Sequence, residues 1–191
     1  MTFRGPDDEG FYLSEFFGMS MRRLSIIDLK TGSQPISFEK EDLHIILNGE
    51  IYNFIELRNE LKLKNYQFKT SSDTEVLLCL YLEYGENFIE YVNGIFSFAI
   101  YDNKQKKLLI YRDRLGVKPL YYYIDDKKFI FSSNLDSILK LGIQKQIDTF
   151  SLFSYLINNY VPREHSINQN EKKLLPGNFV SIKRNKFLIN K

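Results

Sequence analysis

The sequence predicts an α+β fold built on mostly antiparallel sheet. Two helical patterns fall early, a run of strands joined by short turns follows, and strict strand–helix–strand alternation is missing. With 43% hydrophobic residues, 16 Phe and 13 Tyr in 191 positions, there is material for one filled core. No repeat or low-complexity linker interrupts it, so one domain over 1–191 is expected.

"RGPDDEG", residues 4–10, reads as a turn, because Pro fixes φ and Gly and Asp accept turn dihedrals. It stands before any strand or helix that a turn could connect. "RRLSIIDL", residues 22–29, reads as a short apolar strand flanked by charge. Residues 43–47 give a buried strand, closed by an Asn48-Gly49 turn. Asn53 with Glu56 resembles a capping box, and Phe54, Leu57 and Leu61 at i, i+3 and i+7 predict a helix over 54–63. Ser72 and Glu75 repeat the device, after which Val76, Leu80 and Tyr84 draw an apolar stripe ending at Gly85. Beyond Asn93-Gly94, "IFSFAIYD", "KLLIYRD", "PLYYYID" and "KFIFSS" are strands, with the lysines at 104–107 in a solvated hairpin turn. Ser133 with Asp136, and Asp148, each open a short helix; a loop covers 161–176, and "GNFVSIKRNKFLI" closes as a hairpin.

Composition excludes several classes of function. The net charge is +2 and no block of like charges marks a nucleic-acid arm. No apolar run approaches the roughly 20 residues of a membrane helix, and the N-terminus lacks a signal-peptide pattern. With one cysteine, a cytoplasmic setting is expected. His44 and His165 have no ligand-spaced partner, so no metal site is expected. Dinucleotide, P-loop and Gly-x-Ser-x-Gly motifs are absent. Cys79, in mid-helix beside the apolar stripe, reads as a buried, inert thiol.

"RGPDDEG", "RRLSIIDL", "GSQPI", "LNGEIYNF", "TSSDTEV", "NGIFSFAIYD", "YRDRLGVKPLYY", "YVP" and "KLLPG" stand here in one order. This series resembles the class II, N-terminal-nucleophile glutamine amidotransferase domain of glutamine-hydrolysing asparagine synthetases. The resemblance implies an Ntn-hydrolase-like four-layer sandwich, mostly antiparallel sheets flanked by helices. It implies hydrolysis of glutamine to glutamate and ammonia, without a cofactor in this domain. The ammonia would pass to a synthetase domain in cis, which uses ATP and Mg2+ to make asparagine from aspartate.

In the resembled enzymes a cysteine nucleophile and a strand precede "HRGPDD", whereas here the text reads "MTFRGPDD". The expectation is therefore an N-terminally truncated domain without its nucleophile, whose C-terminal end leads toward an absent synthetase domain. An inactive glutamine-binding or interaction module from a truncated gene is the alternative. Thr2, exposed by removal of Met1, could attack as an N-terminal residue, but it stands in the turn segment. A missing strand would leave an unpaired edge, predicting aggregation or a homodimer.

Carried over by position, Arg23 matches the arginine that binds the substrate carboxylate, a natural bidentate pair. Leu24, Ser25, Ile26 and Ile27, expected as a strand, would supply backbone polar groups and the pocket wall. Asp73 matches the aspartate that holds the ammonium, helped by the Glu50 backbone. Asn48 and Gly49 match the pair whose amide N–H groups form the oxyanion hole. On the residues alone, Arg23 is a surface arginine before a strand, Asp73 an acid suited to a helix N-terminus, and Asn48-Gly49 a turn. Met21, Phe3 and Asn134 depart from the family pattern. Arg112, Asp113 and Arg114 are expected to make structural ion pairs.

Overall fold

The computed structural model describes residues 5–183 and 186–190. Thr2, Phe3 and Lys191 lie outside the described residues. A central six-stranded antiparallel sheet runs in the order β11-β10-β6-β5-β4-β3. Its strands are β3 (Ile36–Phe38), β4 (Leu43–Ile51), β5 (Gly94–Asp102), β6 (Lys107–Arg112), β10 (Phe179–Lys183) and β11 (Lys186–Asn190).

Alternation along these strands sorts the side chains onto two faces. Leu43, Ile45, Leu47, Phe96, Phe98, Ile100, Leu109 and Tyr111 join a cluster with Val76, Leu77 and Leu80. Those three belong to α2 (Asp73–Tyr84), which packs with α1 (Phe54–Leu63) over this face. Phe88, fully buried on a 3-10 turn, meets Tyr111 edge-on at 5.4 Å. On the other face Ala99, Tyr101, Leu108, Ile110 and Val180 pack with Met19, Tyr122 and Leu174. Met19 comes from the hairpin of β1 (Asp8–Leu13) with β2 (Gly18–Arg23), and Tyr122 from a three-stranded sheet, with Leu174 just past that sheet's last strand. That sheet has the order β8-β7-β9: β7 (Tyr121–Ile124), β8 (Phe129–Ser132) and β9 (Glu171–Lys173). α3 (Leu135–Leu139) covers β7 and β8, completing helix, sheet, sheet and helix layers.

The helix over 54–63 lies where its periodicity places it, but Asn53 does not cap it. Asn53 instead bridges to the Tyr91 carbonyl at 2.9 Å and the Asn93 N–H at 3.0 Å. Ser72 caps α2 by accepting the Thr74 N–H, while Glu75 turns away to the Lys69 and Thr70 N–H groups. Gly85 ends α2 at φ +59. The cap of α3 is Asn134, one residue beyond Ser133, and Asp148 caps α4 (Thr149–Asn158) through the Ser151 N–H. The segment 161–176 is not all loop, because β9 pairs with β7.

Two expectations fail near the N-terminus. The strand is Gly18–Arg23, and 24–27 is irregular, since the ladder with β1 ends at Asp8↔Arg23. Nor is Asn48-Gly49 a turn: β4 runs through it, paired with Ser97 and Phe96 of β5. Gly49 permits this because its φ is +147 and a Cβ there would sit 2.1 Å from the Ile95 carbonyl oxygen.

Candidate functional site

β3 covers β4 only as far as Ile45, so beyond it the outer edge of β4 is met by side chains. The Leu47 N–H donates to Gln34 Oε1 at 2.6 Å, and Gln34 Nε2 returns a bond to the Leu47 carbonyl at 3.2 Å. Four residues on, the Ile51 N–H donates to Asp73 Oδ2 at 3.0 Å. Backbone N–H groups alternate sides along an antiparallel strand. The Gly49 N–H, midway between these two, therefore faces the same edge. The Asn48 side chain lies on the β1–β2 face of the sheet, its Nδ2 3.5 Å from Ser97 Oγ. Glu50 follows, with its carbonyl closely approached by Gly94, where a Cβ would come within 2.3 Å.

Asp73 is 4% exposed at the start of α2. Burial pushes its carboxyl above the ordinary carboxylate range, opposed by the Ile51 and Thr74 N–H groups and the Thr74 and Ser72 hydroxyls. Arg23 is also buried, so it is no surface arginine. Its Nη2 donates to the carbonyls of Ile27 at 2.5 Å and Asp28 at 2.9 Å, which curls 24–28 round the guanidinium instead of extending it as a strand. Leu24 and Ile26 consequently stand outward, 58% and 65% exposed. Asp28 Oδ2 accepts the Ser71 N–H at 2.8 Å, tying the Arg23 loop to the lead-in of α2.

The "RGPDD" segment holds this arrangement from the other side. The Asp7 N–H donates to the Arg23 carbonyl at 3.1 Å, and Asp7 Oδ2 accepts the Ser25 N–H at 2.8 Å. A Cβ on Gly5 would sit 2.4 Å from the Arg22 backbone, so only glycine fits there. Asp7 and Gln34 were not singled out by sequence reasoning. Both lie in quoted words, "RGPDDEG" and "GSQPI", but nothing in their spacing shows what backbone they meet.

Arg112 and Asp113 are structural without forming ion pairs. Arg112 bonds the carbonyls of Lys118, Leu174 and Gly116, and Asp113 accepts N–H groups from Phe96, Leu115, Val117 and Lys118. Arg114 is exposed, and no ion pair among the described residues includes any of the three. Cys79 is fully buried, and burial pushes its thiol up to about 12. His44 bonds Ser37 and Asp42 and stacks on Tyr12 at 3.5 Å. Among the described residues no three metal-ligating side chains gather, and no helix is long and apolar enough to cross a membrane.

Known structures share this layering. The glutamine phosphoribosylpyrophosphate amidotransferase of Bacillus subtilis, solved with ADP and GMP, superposes with a TM-score of 0.56 at 19% identity over 83% of this chain and 31% of its own. A structure described as the allosteric regulatory enzyme of purine biosynthesis gives 0.57, also at 19% identity and with the same coverage. The chain thus shares the fold of these two enzymes.

Sequence comparison narrows the class. The pattern of the glutamine amidotransferase domain matches residues 1–191, and the chain belongs to that family. It is 42% identical over 180 residues to asparagine synthetase [glutamine-hydrolyzing] 1 of Bacillus subtilis, covering 94% of this chain. It is 40% identical over 157 residues to asparagine synthetase B of Escherichia coli, covering 82% of this chain. The chain spans 28% of the length of each of these curated relatives.

Proposed function

We propose that this chain is the glutamine-hydrolysing part of an asparagine synthetase-type enzyme, releasing ammonia for ATP-dependent amidation of aspartate by a synthetase domain in cis. The observation that supports this most is the uncovered edge of β4, where the Gly49 N–H stands between two N–H groups already bonded to Gln34 and Asp73. In this reading the Gly49 N–H and the Asn48 amide receive the developing oxyanion of the glutamine side-chain carbonyl. Arg23 takes the α-carboxylate through guanidinium nitrogens other than Nη2, while its bonds to Ile27 and Asp28 fix the fork. Asp73 and the Glu50 backbone take the ammonium. No cofactor enters this half of the reaction; ATP and Mg2+ belong to the synthetase half. A cytoplasmic setting fits the unpaired cysteine.

Cys79 cannot be the nucleophile, because it is sealed and its thiol is held protonated. The attack falls instead to an N-terminal cysteine, as in the resembled enzymes. Titration calorimetry on the 191-residue chain should detect glutamine binding that Arg23→Ala weakens by about tenfold or more, as expected for a lost charge-assisted pair. Binding unaffected by Arg23→Ala contradicts the reading.

A further inference from the structure

A cavity lies beside the Arg23 loop, lined by Thr31 and Ser71, both bonded to Asp28. It has a volume of about 720 Å3 and opens between α1 and the segment leading into α2. Three cations line it: Arg58 and Lys62, one turn apart on α1, and Lys69. Gln67, Ser71 and Thr31 add polar groups. None of the three cations takes part in an ion pair among the described residues. Arg58 is held in place by the Thr70 carbonyl at 2.6 Å, the Ser72 carbonyl at 2.8 Å and the Phe68 ring at 4.5 Å. Its Nε is buried without a hydrogen-bond partner among the described residues.

The nearby carboxylates do not neutralise this groove by contact. Glu75 is 1% exposed and already accepts the Lys69 and Thr70 N–H groups and the Thr70 hydroxyl. Asp28 accepts the Thr31 N–H and hydroxyl and the Ser71 N–H. A concave, fixed guanidinium flanked by two unpaired ammonium groups attracts an anion that can reach all three.

We propose that this groove binds a small polyanion, a phosphate-bearing metabolite, and that Asp28 transmits its occupancy to Arg23. The link is short. Thr31 and Ser71 line the groove and both bond the Asp28 carboxylate, while the Asp28 carbonyl accepts Arg23 Nη2 at 2.9 Å. Gly32 packs against the same guanidinium, a Cβ there lying 2.6 Å from Nη2. The significance of the second limb for catalysis rests on Arg23 being the substrate carboxylate ligand; the binding limb does not.

The test uses the 191-residue chain without glutamine, with inorganic pyrophosphate as probe and 15N-resolved NMR as readout. Saturable shifts are expected at Thr31, residues 67–71 and the Arg23 Nε–H, but not with sodium chloride at matched ionic strength. The Lys62→Ala/Lys69→Ala double variant should bind about tenfold or more weakly, since each lost cation removes a charge-assisted contact. Lys127→Ala, on the exposed β7–β8 turn, is the control and should bind as the parent does. Shifts reproduced by chloride, or equal affinity in the double variant and the parent, overturn the site. Shifts at 67–71 with Arg23 unmoved overturn the transmission alone.

Discussion

Two buried carboxylates differ in what surrounds them, and their titrations should differ in consequence. Asp73 is ringed by donors, so its anion has partners even though burial raises its pKa. If it holds the glutamine ammonium, affinity must fall as pH drops through a midpoint above that of an exposed aspartate. A calorimetric pH series should show this loss, and Asp73→Asn should abolish the pH dependence along with most of the binding. Glu171 on β9 is 1% exposed, and neither carboxylate oxygen has a hydrogen-bond partner among the described residues. Burial raises its pKa above the ordinary 4.5, so the folded state keeps a proton that the unfolded state releases. Stability linked to this group is therefore complete below about 4.5 and is lost as pH rises through the higher folded value. Glu171→Leu should stabilise the chain by about 1 kcal/mol at neutral pH, by removing an unsatisfied polar group. Melting curves across pH should be flatter in the variant; a lower melting temperature at pH 7 would show that the carboxylate is compensated.

At the scale of elements, periodicity was legible wherever packing obeys it. α1, α2 and the strands from β5 to β8 lie where their apolar spacing puts them. What could not be read was which partner a polar side chain would choose. Asn53 and Glu75 have capping-box spacing but satisfy backbone groups elsewhere, and Asn48-Gly49 has turn chemistry but lies inside a nine-residue strand. For the candidate site, the positions of Gly49 and Asp73 follow from the words that carry the resemblance. Gln34 and Asp7 required coordinates, because their roles lie in contacts with distant backbone. α4 shows the same limit in reverse: its buried residues are Ser151 and Ser154, while Phe150, Phe153, Leu156 and Ile157 are 56% to 76% exposed. An apolar face of that kind promotes self-association of the isolated chain. Phe153→Ser with Ile157→Ser should lower the associated fraction in sedimentation velocity and leave the circular dichroism unchanged. An unchanged distribution would assign any association to another surface.

Across the whole molecule, one sheet carries both hydrophobic clusters, with alternate residues of β5 and β6 committed to opposite faces. Neither face can lose its packing without loosening strands that serve the other. Far-ultraviolet dichroism and tyrosine fluorescence should therefore report one coincident denaturant transition, and separated midpoints would mean the layers unfold independently. The sheet is nonetheless unevenly secured. Most of its hydrogen bonds join main chain to main chain, a pairing that survives any side-chain replacement except proline. Along β4 past β3, Gln34 does the work of an adjoining strand, giving and accepting one bond each with Leu47. That border of the sheet is inherited as a side chain, so one nucleotide can redraw it while the rest of the architecture stays intact.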